Sequence, residues 1–169
     1  MPKQLTQYRV FIGSPEGLDD ERVSFHNKLG KYTTLNAEHR GVLFHPVGWE
    51  DTLSGVGRPQ ALINEDLKHC DYAVFVLHDR WGSPTGGGYT SGTEEEWVLA
   101  EDLYKANIIR NIALFFKKVD TRRLRDPGKQ LEAVLAFKKR IEEGKQYLFT
   151  QYETIEQFAE AIEGHLARW

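Results

Sequence analysis

The sequence predicts a three-layer α/β fold: five parallel strands in the order 2-1-3-4-5, with helices on both faces. Three observations predict it. Short apolar runs alternate five times with segments of helical periodicity, which implies a parallel sheet covered on both sides. Right-handed crossovers leave few strand orders for such an alternation. The run Tyr72–Leu77 is continuously apolar, as a central, doubly covered strand requires.

Each element has its own signal. Tyr8–Ile12, closed by Gly13-Ser14-Pro15, reads as strand one. Leu18, Arg22, Phe25 and Leu29 keep helical spacing, and Asp19, Asp20 and Glu21 suit a first helical turn. Val42–Val47 is strand two; Pro46 cannot donate to a ladder, so this strand belongs at an edge. Pro59 opens helix two, with Ile63, Leu67 and Cys70 on its inner face. After strand three, Thr93–Ala106 is expected as a helix with Trp97, Ala100 and Tyr104 on one face. Asn111–Phe116 is strand four. Leu131, Val134, Leu135 and Ile141 mark the next helix, with Gly144 as its stop. Tyr147–Phe149 is expected as strand five. Thr154 and Gln157 form a capping box before the amphipathic set Ile155, Phe158, Ala159, Ile162 and Leu166. The arrangement is flavodoxin-like.

Residues 1–169 read as one domain with enough chain for a sizeable core. A net charge of −3 gives no general case for DNA or RNA binding. The single cysteine, Cys70, excludes an intrachain disulfide, and a reducing, cytoplasmic setting is expected. There is no apolar stretch of membrane-spanning length and no signal peptide, so no membrane partner is expected. The basic runs Thr121–Arg125 and Lys129–Lys145 are either solvated faces or a patch for an acidic partner.

Familiar motifs are missing. The chain has no GxxxxGK[ST], no GxGxxG, no HExxH and no paired CxxC, and its histidines are scattered, so no metal site is expected. Ser14 lies one place too early for a nucleophile elbow.

What remains is a convergence of loops. In a parallel sheet of this order the loops at the carboxyl edge meet at the switch point between strands one and three. The first loop brings Gly13 and Ser14, and the second brings Trp49, Glu50 and Asp51. The third brings Arg80, Trp81, Ser83 and Tyr89, then Glu94 and Glu96 at a helix start. Backbone N–H groups, an arginine, aromatic faces and carboxylates together suit a ligand with a phosphate, a ring and ribose hydroxyls. Ala100, one turn after Glu96, would let a ligand approach that helix closely. Plainer readings stand beside this one. Thr93 and Glu96 have capping-box spacing, Glu94 and Glu95 favour the helix dipole, and Trp49 and Trp81 are of a type that usually packs.

Arg9–Pro15 followed by Leu18 and Asp20-Glu21-Arg22 resembles the opening of a TIR-like bacterial domain family, whose members read V-F-I-S-S-T, a short gap, then L-x-x-E-R. The likeness continues at Pro46–Asp51, at Asp71-Tyr72, at Arg80–Ser83, and at Tyr89-Thr90 with Thr93–Trp97 and Ala100. The chain departs from the pattern at Gly13, where the family has serine, and at Pro15, where it has a polar residue. The family has no assigned chemistry and usually forms the N-terminal module of larger NTPase or repeat proteins. Its clan includes TIR domains and nucleoside deoxyribosyltransferases, which place a glutamate at the start of the third helix to act on an N-glycosidic bond. The resemblance thus implies Glu96 as catalytic residue, with Glu94 second. It implies NAD as substrate rather than cofactor, and a glycohydrolase role in defence or signalling. Arg80 and the first-loop N–H groups would hold the diphosphate, Trp81 or Tyr89 would cover a ring, and the Gly82–Gly92 loop would act as a lid. Two other readings follow from the same likeness: a non-catalytic interaction module, or a deoxyribosyltransferase on free nucleosides. Self-association is implied as well. Leu53 and Val56, in the loop Asp51–Arg58, would either form a contact surface or fold back onto the sheet.

Overall fold

A computed structural model describes residues 1–169. Strands β1 (Thr6–Gly13), β2 (Val42–Val47), β3 (Tyr72–Leu77), β4 (Asn111–Lys117) and β5 (Thr150–Tyr152) form one sheet in the order β2-β1-β3-β4-β5. Every pairing is parallel. The expected flavodoxin-like order is therefore the observed one. β2 lies at an edge, with Pro46 opposite Val10 on its single neighbour.

Alternate side chains divide the core into two layers, as the period of a strand requires. Phe11, Ala73, Phe75, Leu77, Leu114 and Phe116 face one side. There they meet α2 (Pro59–Lys68), α3 (Gly92–Lys105) and α5 (Gly128–Gly144), through Leu67, Trp97, Ala100 and Phe137 among others. Val10, Ile12, Val74, Val76 and Phe115 face the other side. They pack on Phe25 and Leu29 of α1 (Asp19–Arg40) and on Phe158, Ile162 and Leu166 of α6 (Ile155–Arg168). All six residues of β3 are buried.

Four expectations need correction. β5 is Thr150–Tyr152, not Tyr147–Phe149. Tyr147 and Phe149 are used as plugs: Tyr147 packs edge-on against Trp97 and donates to Glu101, and Phe149 packs on Phe116, while Leu148 is fully exposed. On α3 the inward residue is Leu103, and Tyr104 is exposed. The N-cap of α3 is Ser91, whose Oγ accepts from the Glu94 N–H, so Thr93 and Glu96 form no capping box. α5 does end at Gly144, but the left-handed residue that stops it is Lys145, at φ 52°. The basic run Thr121–Arg125 forms a further short helix, α4, whose Arg123 pairs with Asp79.

Candidate functional site

β1 and β3 are adjacent in the sheet, yet their connections leave toward opposite edges. A crevice opens at their carboxyl ends for that reason. It is a cavity of about 420 Å³, lined by Ser14, Arg22, Trp49, Gln60, Arg80 and Glu96 among others. Ser83 and Trp81 also reach its wall.

Glu96 sits on the second turn of α3 and is only 7% exposed. Gln60 of α2 donates from Nε2 to its Oε1 at 2.8 Å. Oε2 has no protein donor, and it is not sealed away, because the only buried side-chain polar atom without a partner is Nε of Arg9. Its position depends on Gly13. A Cβ at Gly13 would lie 2.7 Å from Glu96 Oε2 and 2.7 Å from the Phe75 ring. Glycine at the end of β1 is thus what admits the carboxylate. Burial pushes the Glu96 carboxyl up to about 7, against the pull of Gln60 and of the Arg22 charge. The site therefore holds a carboxyl that exchanges its proton near neutral pH.

Arg22 closes the first turn of α1 and is 5% exposed. Its Nη1 donates to Ser14 Oγ at 2.8 Å, and its Nη2 donates to Glu50 Oε2 at 2.6 Å. Its Cζ lies 5.5 Å from the centre of the Trp49 ring, which is half exposed and is the aromatic face the cavity offers. Partial burial would raise the Glu50 carboxyl, but the hydrogen bonds from Arg22 and from its own backbone outweigh that, so it titrates below its usual range. Trp49, Glu50 and Asp51 form a single 3-10 turn after β2; Asp51 ties it down by accepting from the Gly48 N–H at 2.8 Å.

The loop between β3 and α3 is fastened at two places. Gln130 of α5 accepts from the N–H groups of Trp81 and Gly82. Further on, Arg58 and Thr85 both donate to buried Glu95, which Asn64 also reaches. The hydrogen bond from Arg58 holds the Glu95 carboxyl below its usual range. Gly87 is required there, since a Cβ would come within 2.8 Å of Glu95 Oε2. Arg80 meets only Glu16, at 3.3 Å, and both are well exposed, so the pair holds weakly and Arg80 can turn elsewhere.

The structure does not gather every residue the sequence singles out. Ser14, Trp49, Arg80, Trp81, Ser83 and Glu96 line the cavity, and Gly13 backs it. Glu50 and Asp51 lie behind it. Trp81 is 8% exposed, packs on Phe137 and gives its Nε1–H to Thr90, so it is a wall rather than a stacking face. Glu94 and Tyr89 line a separate depression; Glu94 accepts from the N–H and hydroxyl of Thr90. The glutamate pair is thereby resolved geometrically, with only Glu96 facing the cavity. Sequence reasoning missed Arg22, Gln60, Arg58 and Glu95 as members of this network. Arg22 left one signal, a charged residue at helical spacing with the apolar Leu18, Phe25 and Leu29. Gln60 left none. No group of three or more His, Cys, Asp or Glu side chains is placed to hold a metal ion, and burial pushes the Cys70 thiol up to about 12, which keeps it unreactive.

The family described as Domain of unknown function (DUF4062) matches residues 9–167, and the chain belongs to that family. No curated protein is significantly similar to it. No helix is long and apolar enough to cross a membrane.

Proposed function

We propose that this DUF4062 member is a TIR-like nucleotide-binding domain that hydrolyses the nicotinamide–ribose bond of a nicotinamide nucleotide, NAD being the first candidate, in a defence or signalling setting. One observation carries the reading: Glu96 presents a free carboxylate oxygen to the switch-point cavity while Gln60 and Gly13 fix its place.

The chemistry follows from that group. The bond from ribose C1′ to the ring nitrogen breaks, and its electron pair neutralises the cationic ring, so nicotinamide leaves uncharged. Positive charge passes to the ribose as an oxocarbenium-like state. An ionised Glu96 stabilises that charge or accepts from the ribose hydroxyls. Water then adds at C1′ and loses its proton. Trp49 offers the exposed ring face for stacking, and Arg80 is free to turn toward a phosphate.

Incubation of the purified domain with concentrated NAD, with released nicotinamide measured, tests this directly. Glu96→Gln should cut turnover by about 10²-fold or more. For the wild type kcat/KM should rise through about pH 7 and level off, because the ionised form acts. Base exchange with free nucleosides in place of hydrolysis would identify the deoxyribosyltransferase alternative. A second reading, a non-catalytic self-associating module, draws on Leu53 and Val56, which stand fully out in solvent. Absence of both turnover and nucleotide binding would favour it.

A further inference from the structure

Arg22 is nearly as buried as the core around it, yet it belongs to the cavity wall. Its guanidinium is gripped by two acceptors of different kinds. Ser14 Oγ is fixed at the end of β1, in the first turn after the strand. Glu50 is a side chain on a three-residue turn, one-third exposed, and it reaches Arg22 through one short contact of 2.6 Å and one long one of 3.3 Å. Because Ser14 Oγ accepts from Arg22 and has no acceptor of its own, its hydroxyl proton is free to donate. Arginine and a serine hydroxyl converging on one point suit a phosphate as well as a carboxylate.

Gly48 shows how Glu50 comes to be there. Its backbone is extended, at φ −136° and ψ 174°, so any residue is sterically allowed by conformation. A Cβ at Gly48, however, would lie 2.6 Å from Glu50 Oε2 and 2.9 Å from Arg22 Nη2. The chain leaves that space empty, and the Glu50 carboxylate occupies it.

We infer that Ser14 and Arg22 form a phosphate subsite in the cavity wall, and that the domain's own Glu50, which holds the Arg22 guanidinium from behind that wall, competes with a phosphate of the nucleotide for it. The inference rests on the nucleotide reading above and names how that ligand's anionic end is received. Exchange of one anion for another keeps the buried Arg22 paired throughout, so no uncompensated charge is left inside the protein. It also makes entry selective. A phosphate can draw Arg22 from Glu50, with Arg80 available for a second phosphate, whereas a neutral nucleoside gives Arg22 nothing in return.

The test is direct binding by calorimetry with ADP, inorganic pyrophosphate and adenosine, none of which has a nicotinamide bond to cleave. Glu50→Gln keeps the shape of the side chain and removes its competing charge. It should bind ADP and pyrophosphate roughly tenfold more tightly than the wild type, with adenosine unchanged. Glu50→Ala is the second variant: it removes the competing carboxylate altogether without adding an atom near Arg22, and the same tightening is expected. Ser14→Ala should weaken ADP and pyrophosphate while sparing adenosine. Unchanged or weaker ADP binding in both Glu50→Gln and Glu50→Ala, with both folded by circular dichroism, overturns the inference. Tighter ADP binding alongside a wild type that releases no nicotinamide from NAD leaves the subsite in place and removes the glycohydrolase reading alone.

Discussion

A carboxyl group buried beside Gly13 and Phe75 destabilises the fold whenever it is ionised. The sign is definite for Glu96. Its proton affinity is raised in the folded state, to about 7, above the ordinary 4.5 that serves for the unfolded chain. Below pH 4.5 both states are protonated and the group costs nothing. Between pH 4.5 and 7 the unfolded chain ionises first and stability falls; above about 7 the loss is complete, at roughly 3 kcal/mol. Glu96→Gln should therefore be more stable than the wild type at pH 8, and urea midpoints for the two should converge below pH 4.5. A wild type that outlasts Glu96→Gln at pH 8 would mean that the carboxylate is a structural partner. Gly13→Ala tests the same residue from the other side. The added methyl meets Glu96 Oε2 and Phe75 at 2.7 Å, so overpacking of about 1–3 kcal/mol and loss of the site's titration near pH 7 are expected, by thermal unfolding and by pH profile. At this scale the sequence placed Glu96 at the carboxyl edge of the sheet because strand, glycine loop and helix start have a known spatial relation. It did not distinguish Glu94 from Glu96, because neighbouring residues on a helix differ only in which way they point. The choice was made by Ser91 taking the cap and by Gln60, which is distant in sequence.

The elements around the cavity differ in how firmly they are held, and the sequence conveyed their order better than their ends. β5 shows why. Of the apolar run Tyr147-Leu148-Phe149 beside it, the core takes Tyr147 and Phe149 as side chains covering Trp97 and Phe116, and Leu148 stays in water. An apolar run does not by itself make a strand, because strand membership is set by backbone pairing, here Phe115 opposite Thr150. The β3–α3 loop carries a similar lesson. Its glycines suggested a lid, yet Gln130 holds it at Trp81 and Gly82, and Glu95 holds it at Thr85, which leaves the arc from Gly86 to Tyr89 as its longest stretch without such ties. Glu95→Ala removes the acceptor shared by Arg58, Thr85 and Asn64. Amide exchange from Thr85 to Thr90 should then quicken about tenfold or more while β3 stays protected, as expected for local rather than global opening. Equal acceleration in β3 would show that the cluster supports the whole sheet.

At the scale of the whole molecule, strand order followed from alternation and handedness, which are properties of the entire chain and survive errors at element ends. Association is a different matter, since it depends on what the finished surface exposes. Leu53 and Val56 are the instructive pair. The sequence left them either tucked under their loop or turned outward, and the structure turns both outward, at 86% and 104% exposure. They lie in the stretch between the Trp49–Asp51 turn and α2, both of which contribute to the cavity through Trp49 and Gln60. Two large apolar side chains standing in water close to the cavity favour contact with another surface. If that surface is a second copy, docking at this loop would bear on the Trp49–Asp51 turn and thus on Glu50 and Arg22. Turnover per molecule should then rise with protein concentration or crowding, and sedimentation should show larger species over the same range. Leu53→Asp, at a position with no packing to lose, should abolish both the rise and the larger species without moving the melting temperature. Turnover that stays flat across a wide concentration range, with Leu53→Asp silent, would instead describe a monomer whose cavity is complete within one chain.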